Sequence, residues 1–188
     1  EDLVLSASFA QQSLFGSCNS LTLGLNTSES SRTLALSFTN PYYTVDGVSL
    51  GWDLYHRTYD ADELDSVSPY KTVSTGAGIR LGWPIAEDDQ VNFGLTADRT
   101  EITTYAQSPF LYQDFCLENG LDSASRGIGS CTVDSLLLTV GWSRDGRDSF
   151  TYPRSGVYQR VYGEVTVPVG DLRYGKLGYQ YQHWFPLG

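Results

Sequence analysis

Apolar and polar residues alternate with a period of two along most of the chain, in runs separated by polar or glycine-rich segments. In residues 48–54, every second residue is valine, leucine or tryptophan, and serine, glycine and aspartate lie between them. Successive side chains of a β-strand point to opposite faces, so this period indicates strands. Counting such runs predicts about nine strands. No helix is predicted, and residues 109–119 are expected to hold no more than a short turn.

The two faces of the predicted strands differ in polarity. The apolar side chains that we expect to face lipid are Leu50, Trp52, Leu54, Ile79, Leu81, Phe93, Leu95, Leu138, Val140 and Val165. The opposite face mixes small and polar residues with the charged residues Asp53, Arg57, Arg80, Asp98, Arg160 and Glu164. A transmembrane barrel with a polar lumen has this pattern. A soluble β-sandwich binding module shares the alternation, so the faces alone leave both folds open.

The segments between the strands favour the barrel. Aromatic residues and prolines collect at every second turn, in residues 14–15, 41–43, 83–84, 150–153 and 184–186. The other turns include two long polar loops, residues 60–70 and 103–130. If the strands run up and down, the aromatic turns share one end, as in a barrel with an interfacial aromatic girdle, short periplasmic turns and longer extracellular loops. The predicted fold is therefore all-β, an antiparallel up-and-down transmembrane β-barrel in the bacterial outer membrane.

Composition narrows the functional classes. The formal net charge of −10 argues against a nucleic-acid partner, which would need a basic surface. No apolar run approaches the roughly 18 residues of a membrane helix. No signal peptide opens the chain, which starts at Glu1, and no linker interrupts it. We expect residues 1–188 to be one partial barrel domain, excised from a longer protein.

The chain has three cysteines, an odd number that allows at most one internal disulfide. Cys116 and Cys131 flank a glycine- and serine-rich segment of the long loop. We expect these two to pair in an oxidising compartment and to tether that loop. Cys18 would then be left over.

Residues suited to catalysis or metal binding form no recognisable pattern. The two histidines, His56 and His183, are not in the HExxH spacing of a zinc site. Strand alternation puts His56 on the face opposite Ser49 and Asp53, which argues against a catalytic triad. The glycines at 76 and 78 lack the lysine of a phosphate-binding loop, and the acidic residues 60–65 lack the spacing of a calcium loop. The sequence predicts no catalytic, cofactor-binding or metal-binding residue, no cofactor and no enzyme activity.

Residues 40–51 read NPYYTVDGVSLG, which resembles the NPYFTxDGxSxG signature of the BamA family of outer-membrane barrel assembly proteins. Asn40, Pro41, Tyr42, Asp46 and Gly47 match the signature, and a tyrosine replaces its phenylalanine. Residues 81–85 (LGWPI), 163–168 (GEVTVP) and 11–16 (QQSLFG) are similar to further family segments. The resemblance covers essentially the whole chain, although a cysteine stands at position 18 where the family usually has glycine.

The resemblance implies a role in folding and inserting other outer-membrane proteins without ATP, through a seam where an incoming strand adds by edge pairing. It implies that the chain corresponds to about the second to tenth strands of a larger barrel. The seam strands and the periplasmic POTRA modules would then lie outside it. Implied partners are outer-membrane lipid, nascent outer-membrane proteins, accessory assembly lipoproteins, and further strands or another copy to close the sheet. The alternatives are a TamA-like or two-partner secretion barrel and a passive pore.

Overall fold

The computed structural model describes residues 4–13, 17–61, 69–119, 121, 126–149, 151–167 and 173–186. Its strands are β1 (Leu5–Gln12), β2 (Ser20–Thr27), β3 (Ser31–Asn40), β4 (Ser49–Asp60), β5 (Tyr70–Pro84), β6 (Asp89–Thr104), β7 (Gly129–Asp145), β8 (Gly156–Thr166) and β9 (Gly175–Trp184). A helix, α1 (Phe110–Glu118), lies between β6 and β7.

The nine strands of the described residues form one antiparallel sheet in which each strand pairs with its neighbours in sequence, in the order β1 to β9. This confirms the predicted strand number and the up-and-down arrangement. Within the described residues, β1 pairs only with β2 and β9 only with β8, so the sheet is open. No second sheet covers either face of it in the part of the chain that the structure describes, as a soluble β-sandwich would require.

The strand register collects the apolar residues on one face. Cross-strand partners on neighbouring strands share a face of the sheet, and three such rows contain all the side chains that the sequence assigns to lipid. The rows are Leu50, Leu81, Phe93 and Val140; Trp52, Ile79, Leu95, Leu138 and Val165; and Leu54, Ala77, Ala97 and Leu136. We call this face the outer face and the opposite one, which carries Asp53 and Arg80, the inner face.

Burial in this sheet is the reverse of burial in a soluble domain. Large apolar side chains of the outer face are exposed, with Ile79 at 54% and Leu54 at 47% of their full accessibility. The buried hydrophobic residues in the described part are Ala61, Ile102, Cys116, Cys131 and Val133. An apolar face this extensive is stable only against apolar surroundings. Between its two ends, the described sheet therefore has its apolar surface on the outer face.

The two ends of the sheet differ in their connections. Antiparallel pairing puts the segments after β1, β3, β5 and β7 at one end, which we call the turn end. The segments after β2, β4, β6 and β8 lie at the other, the loop end, which includes the described residues 105–119, 121 and 126–128. The aromatic segments that the structure describes, residues 41–43, 83–84, 151–153 and 184–186, fall at the turn end, as predicted. The predicted aromatic residues 14–15 and 150, the acidic residues 62–68 and residues 169–171 lie outside the described part.

Residues 109–119 form more than the short turn expected from the sequence. Helix α1 is nine residues long and begins after Pro109. Its Cys116 packs against Ile102 of β6 and Cys131 of β7, and Tyr112 and Phe115 pack around this cluster. Alternation could not indicate α1, because its apolar residues do not form the single stripe of an amphipathic helix. No helix in the described residues is long and apolar enough to cross a membrane.

Candidate functional surfaces of the sheet

An ion pair lies at each end of the apolar part of the outer face. At the loop end, Arg99 Nε and Nη2 donate to the two carboxylate oxygens of Asp134 at 2.6 and 2.7 Å. At the turn end, Arg144 Nε lies 3.4 Å from Asp89 Oδ1. Residues 89 and 99 are both on β6, so about 33 Å of strand separates the two pairs. At the usual tilt of barrel strands this corresponds to the apolar band of about 25 Å that barrels present to lipid.

Beyond Arg99 the polarity of the two faces reverses. On the inner face, Ile102, Cys131 and Val133 are buried, whereas Glu101 on the outer face is exposed. Here the inner face packs against α1, and the exposed outer face carries a charged side chain, which is costly in lipid and favourable in water. The alternating run predicted for this strand ends at Ala97, so the part of β6 beyond Arg99 is not included in the predicted lipid-facing surface. The reversal also explains why the apolar runs in the sequence stop near Ala97, although the strands continue.

A disulfide joins α1 to β7 at the loop end. Cys116 and Cys131 are bonded, with Cα atoms 5.4 Å apart, and both are buried. Thr104, beneath the same loop, donates a hydrogen bond to the Gly127 carbonyl. These bonds fix part of the long loop against the inner face. Cys18 is a free, exposed cysteine.

An arginine on the inner face connects three strands. Arg80 of β5 donates from Nε and Nη2 to Asp53 of β4 at 2.5 and 3.0 Å, and from Nη2 to Ser37 Oγ of β3 at 3.2 Å. Ser37 Oγ donates to Asp53 at 2.6 Å. The guanidinium crosses directly over Gly51, where an added Cβ would lie 3.2 Å from Nη2. The last glycine of the NPYYTVDGVSLG segment therefore leaves room for this network.

A second inner-face network centres on Asp98. Tyr55 donates from its hydroxyl to Asp98 Oδ2 at 2.6 Å, and Thr100 donates to Oδ1 at 2.7 Å. The Tyr55 ring lies over Gly76, and Tyr162 lies over Gly178 in the same way between β8 and β9. Sequence reasoning assigned Asp53, Arg80 and Asp98 to this face but missed their partners, because contacts between strands can be identified only from the register.

The family motif forms the turn between β3 and β4. The side-chain oxygen of Asn40 accepts a hydrogen bond from the Tyr42 amide at 3.0 Å, across Pro41. Gly47 has φ of +80°, a conformation that favours glycine. Its amide donates to the Thr44 carbonyl at 3.1 Å. Asp46, like Tyr42, is exposed. These conformational requirements account for the asparagine and the glycine of the motif, which act as turn formers.

The turn between β7 and β8 is fixed by charged groups. Arg147 donates from Nε and Nη2 to Asp145 at 2.7 and 2.6 Å, and its guanidinium lies 5.3 Å from the ring centres of Tyr158 and Trp184. The hydrogen bond to Asp145 raises the pKa of Arg147 above its ordinary value. Further along the turn, backbone amides lower the pKa of Asp148.

The residues considered for chemistry lie apart from one another. His56 is on the outer face, with Nδ1 2.8 Å from Thr75 Oγ1. His183 lies at the turn end, edge-on to Tyr181 and Phe185. The glycines at 76 and 78 are in the middle of β5 rather than in a loop. Among the described residues, no group of three histidine, cysteine, aspartate or glutamate side chains could hold a metal ion.

Taken together, a single up-and-down sheet with an apolar outer band, charged boundaries and a polar inner face defines a section of the wall of an outer-membrane β-barrel. A family model described as the Omp85 superfamily domain matches residues 13–188. The chain belongs to the Omp85 superfamily, whose members are outer-membrane barrel proteins.

Two relatives define this similarity further. The outer membrane protein assembly factor BamA of Neisseria meningitidis serogroup B is 38% identical over 98% of this chain. A crystal structure of BamA from Haemophilus ducreyi lacking POTRA domains 1–3 matches all of this chain with a TM-score of 0.79 at 22% identity, which supports the fold. The chain spans only 23% of the length of the first protein and 36% of the second.

Proposed function

We propose that this chain is part of the barrel of an insertase that folds other proteins into the outer membrane, and that it does so without enzymatic chemistry. The observation that carries the proposal is the 38% identity to the N. meningitidis assembly factor along 98% of the chain. Residues 40–51 add a local similarity to the family motif, and the turn that they form requires the asparagine and the glycine of that motif. Nascent outer-membrane proteins, accessory assembly lipoproteins and membrane lipid are the proposed partners.

The open edges of the sheet require completion in a membrane. Every residue of β1 is exposed, and in the described part its outer edge has no strand beside it. Unpaired backbone amides and carbonyls are costly in hydrocarbon, so only a closed barrel spans a bilayer. We propose that further strands, or another copy, close the barrel around this sheet.

Within such a barrel, we propose that this section is a rigid wall rather than the part that opens. The Arg80 network joins β3, β4 and β5, and the Asp98 network joins β4 to β6. Opening between these strands would break charged hydrogen bonds as well as the backbone ladder. Substrate strands would therefore enter elsewhere in the barrel, beside this wall.

A chimera tests the proposed function. This chain would replace the matched segment of the N. meningitidis assembly factor in cells depleted of the native protein, with folded barrel levels checked by heat-dependent gel mobility. Restored growth and restored assembly of porins into the outer membrane would support an insertase. A folded chimera that restores neither would overturn the proposal. Secretion of a passenger without porin assembly would instead favour a secretion barrel, and steady single-channel conductance a passive pore.

A further inference from the structure

The outer face carries an apolar groove near its loop end, with a volume of about 840 Å³. Its sides are leucines of β2, β3, β4 and β7, and its floor is formed by Ala77 and Ala97. These two alanines are cross-strand partners on β5 and β6. In the neighbouring row, the same strands carry Ile79 and Leu95, which are much larger. The groove therefore exists because two adjacent outward positions hold alanine between ridges of leucine.

The polar outer-face side chains that line this groove lie at its loop end. Its loop end is lined by His56, Thr75, Arg99 and Asp134. These four residues are consecutive cross-strand partners, so they form one row across the outer face. An apolar channel that ends in a polar row is complementary to an amphipathic molecule that lies along the barrel wall.

The polar row offers donors suited to an anion. The Arg99 side chain is 68% exposed, and its bonds to Asp134 use Nε and Nη2, while Nη1 carries further N–H donors. The imidazole of His56 adds a second nitrogenous group, and Arg32 is exposed on the same face, two residues beyond Leu34 of the groove. Arginine in this setting binds phosphate through several N–H groups at once.

We propose that this groove binds an acyl chain of a phosphorylated glycolipid of the outer leaflet, with a phosphate of that lipid at Arg99 and His56. The loop end is the extracellular end of the barrel by the lengths of its loops. The polar row also lies at the boundary of the apolar band. This boundary is the depth at which a lipid places its phosphate groups. A specific lipid at this site would anchor the wall in the outer leaflet.

Native mass spectrometry of the complete protein that contains this chain tests the proposal, with lipid A as the probe and its dephosphorylated form as the comparison. Ala77→Leu combined with Ala97→Leu fills the groove. Ala7→Leu makes the same change on β1, outside the groove, and serves as the matched control. Arg99→Gln combined with His56→Gln removes the proposed phosphate contacts. Heat-dependent gel mobility establishes that each variant contains a folded barrel.

We expect the variant with the filled groove to bind lipid A about tenfold more weakly, because about two methylene groups of the acyl chain would no longer be buried. The Ala7→Leu variant should bind lipid A as tightly as the parent protein does. The Arg99 and His56 variant should bind both forms of lipid A equally. Unchanged binding after groove filling would overturn the proposal, as would equal binding of the two lipids by the parent protein. A dimer that disappears on groove filling would also overturn it, because a second copy would then occupy the groove.

Discussion

The ring of Tyr55 lies next to the backbone of Gly76 on the adjacent strand, in the space that any larger residue at position 76 would occupy. This position directs the tyrosine hydroxyl to Asp98 on the strand beyond, at 2.6 Å. One glycine thus allows a side chain of β4 to reach across β5 to β6. Glycine normally weakens a strand, and here the aromatic ring covers the backbone that it exposes.

Replacement of Gly76 by alanine should destabilise the barrel by about 1–3 kcal/mol, because the added methyl group displaces the ring from its site. Gly24→Ala is the matched control: it lies in the same cross-strand row, and its added Cβ would be 4.0 Å from the nearest atom, the Ala35 carbonyl oxygen. That change should be neutral or mildly stabilising, since alanine is favoured over glycine within a strand. Urea titrations of the two variants in lipid vesicles measure the difference, and equal effects would contradict this packing.

The contact between Arg80 and Asp53 should contribute measurably to the stability of the inner face. Both side chains are partly exposed, at 54% and 32%, so solvent screens the pair. A double-mutant cycle with Arg80→Met and Asp53→Asn should give a coupling energy of about 0.5–1.5 kcal/mol. The coupling should fall when Ser37 is also replaced by alanine, because Ser37 bonds to both groups. Strictly additive single mutants would show that the network has no energetic role.

The outer face can be distinguished from the inner face by a pair of arginine substitutions on β6. Leu95→Arg should impair folding into a bilayer by about 2–4 kcal/mol, since Leu95 lies near the middle of the apolar band. Thr96→Arg should be milder, because the next side chain along the strand faces the polar interior. Folding titrations into vesicles measure both. If the two effects are the same, the assignment of the outer face to lipid is wrong.

Sequence alternation predicted the sheet well where lipid lies outside and water inside. In that part of the sheet, apolar side chains such as Leu50, Ile79 and Leu138 follow one rule, which is that they face outward. The rule fails at the loop end, because Val133 and Cys131 turn their apolar side chains inward against α1. The surroundings change there, and periodicity alone does not reveal which face meets water. The groove and the inner-face networks depend on cross-strand neighbours such as Ala77 and Ala97, which only the register identifies.

The disulfide at the loop end predicts a simple thiol count. The denatured, untreated protein should show one reactive thiol in this chain, from Cys18, rather than three. Cys116 and Cys131 are 15 residues apart, and loss of a bridge of this span costs roughly 3 kcal/mol in the chain-entropy model. Reduction should therefore speed tryptic cleavage after Arg126. Three thiols before reduction, or cleavage that reduction does not change, would reject the bridge.

Acid should loosen the turn between β7 and β8 through Asp148. The amides of Arg154 and Ser155 donate to Asp148 Oδ1 at 2.9 and 3.2 Å, and these bonds lower the pKa of Asp148 from its ordinary value of 3.8. Because the folded pKa is lowered, the stabilisation is fully present above the ordinary value and is lost as the pH falls through the folded pKa. Amide proton shifts of Arg154 and Ser155 followed by NMR should move together with a midpoint below 3.8. Asp148→Asn keeps an acceptor oxygen but removes the charge, so the acid transition should vanish in that variant. A midpoint at or above the ordinary value would mean that the amides do not hold the carboxylate.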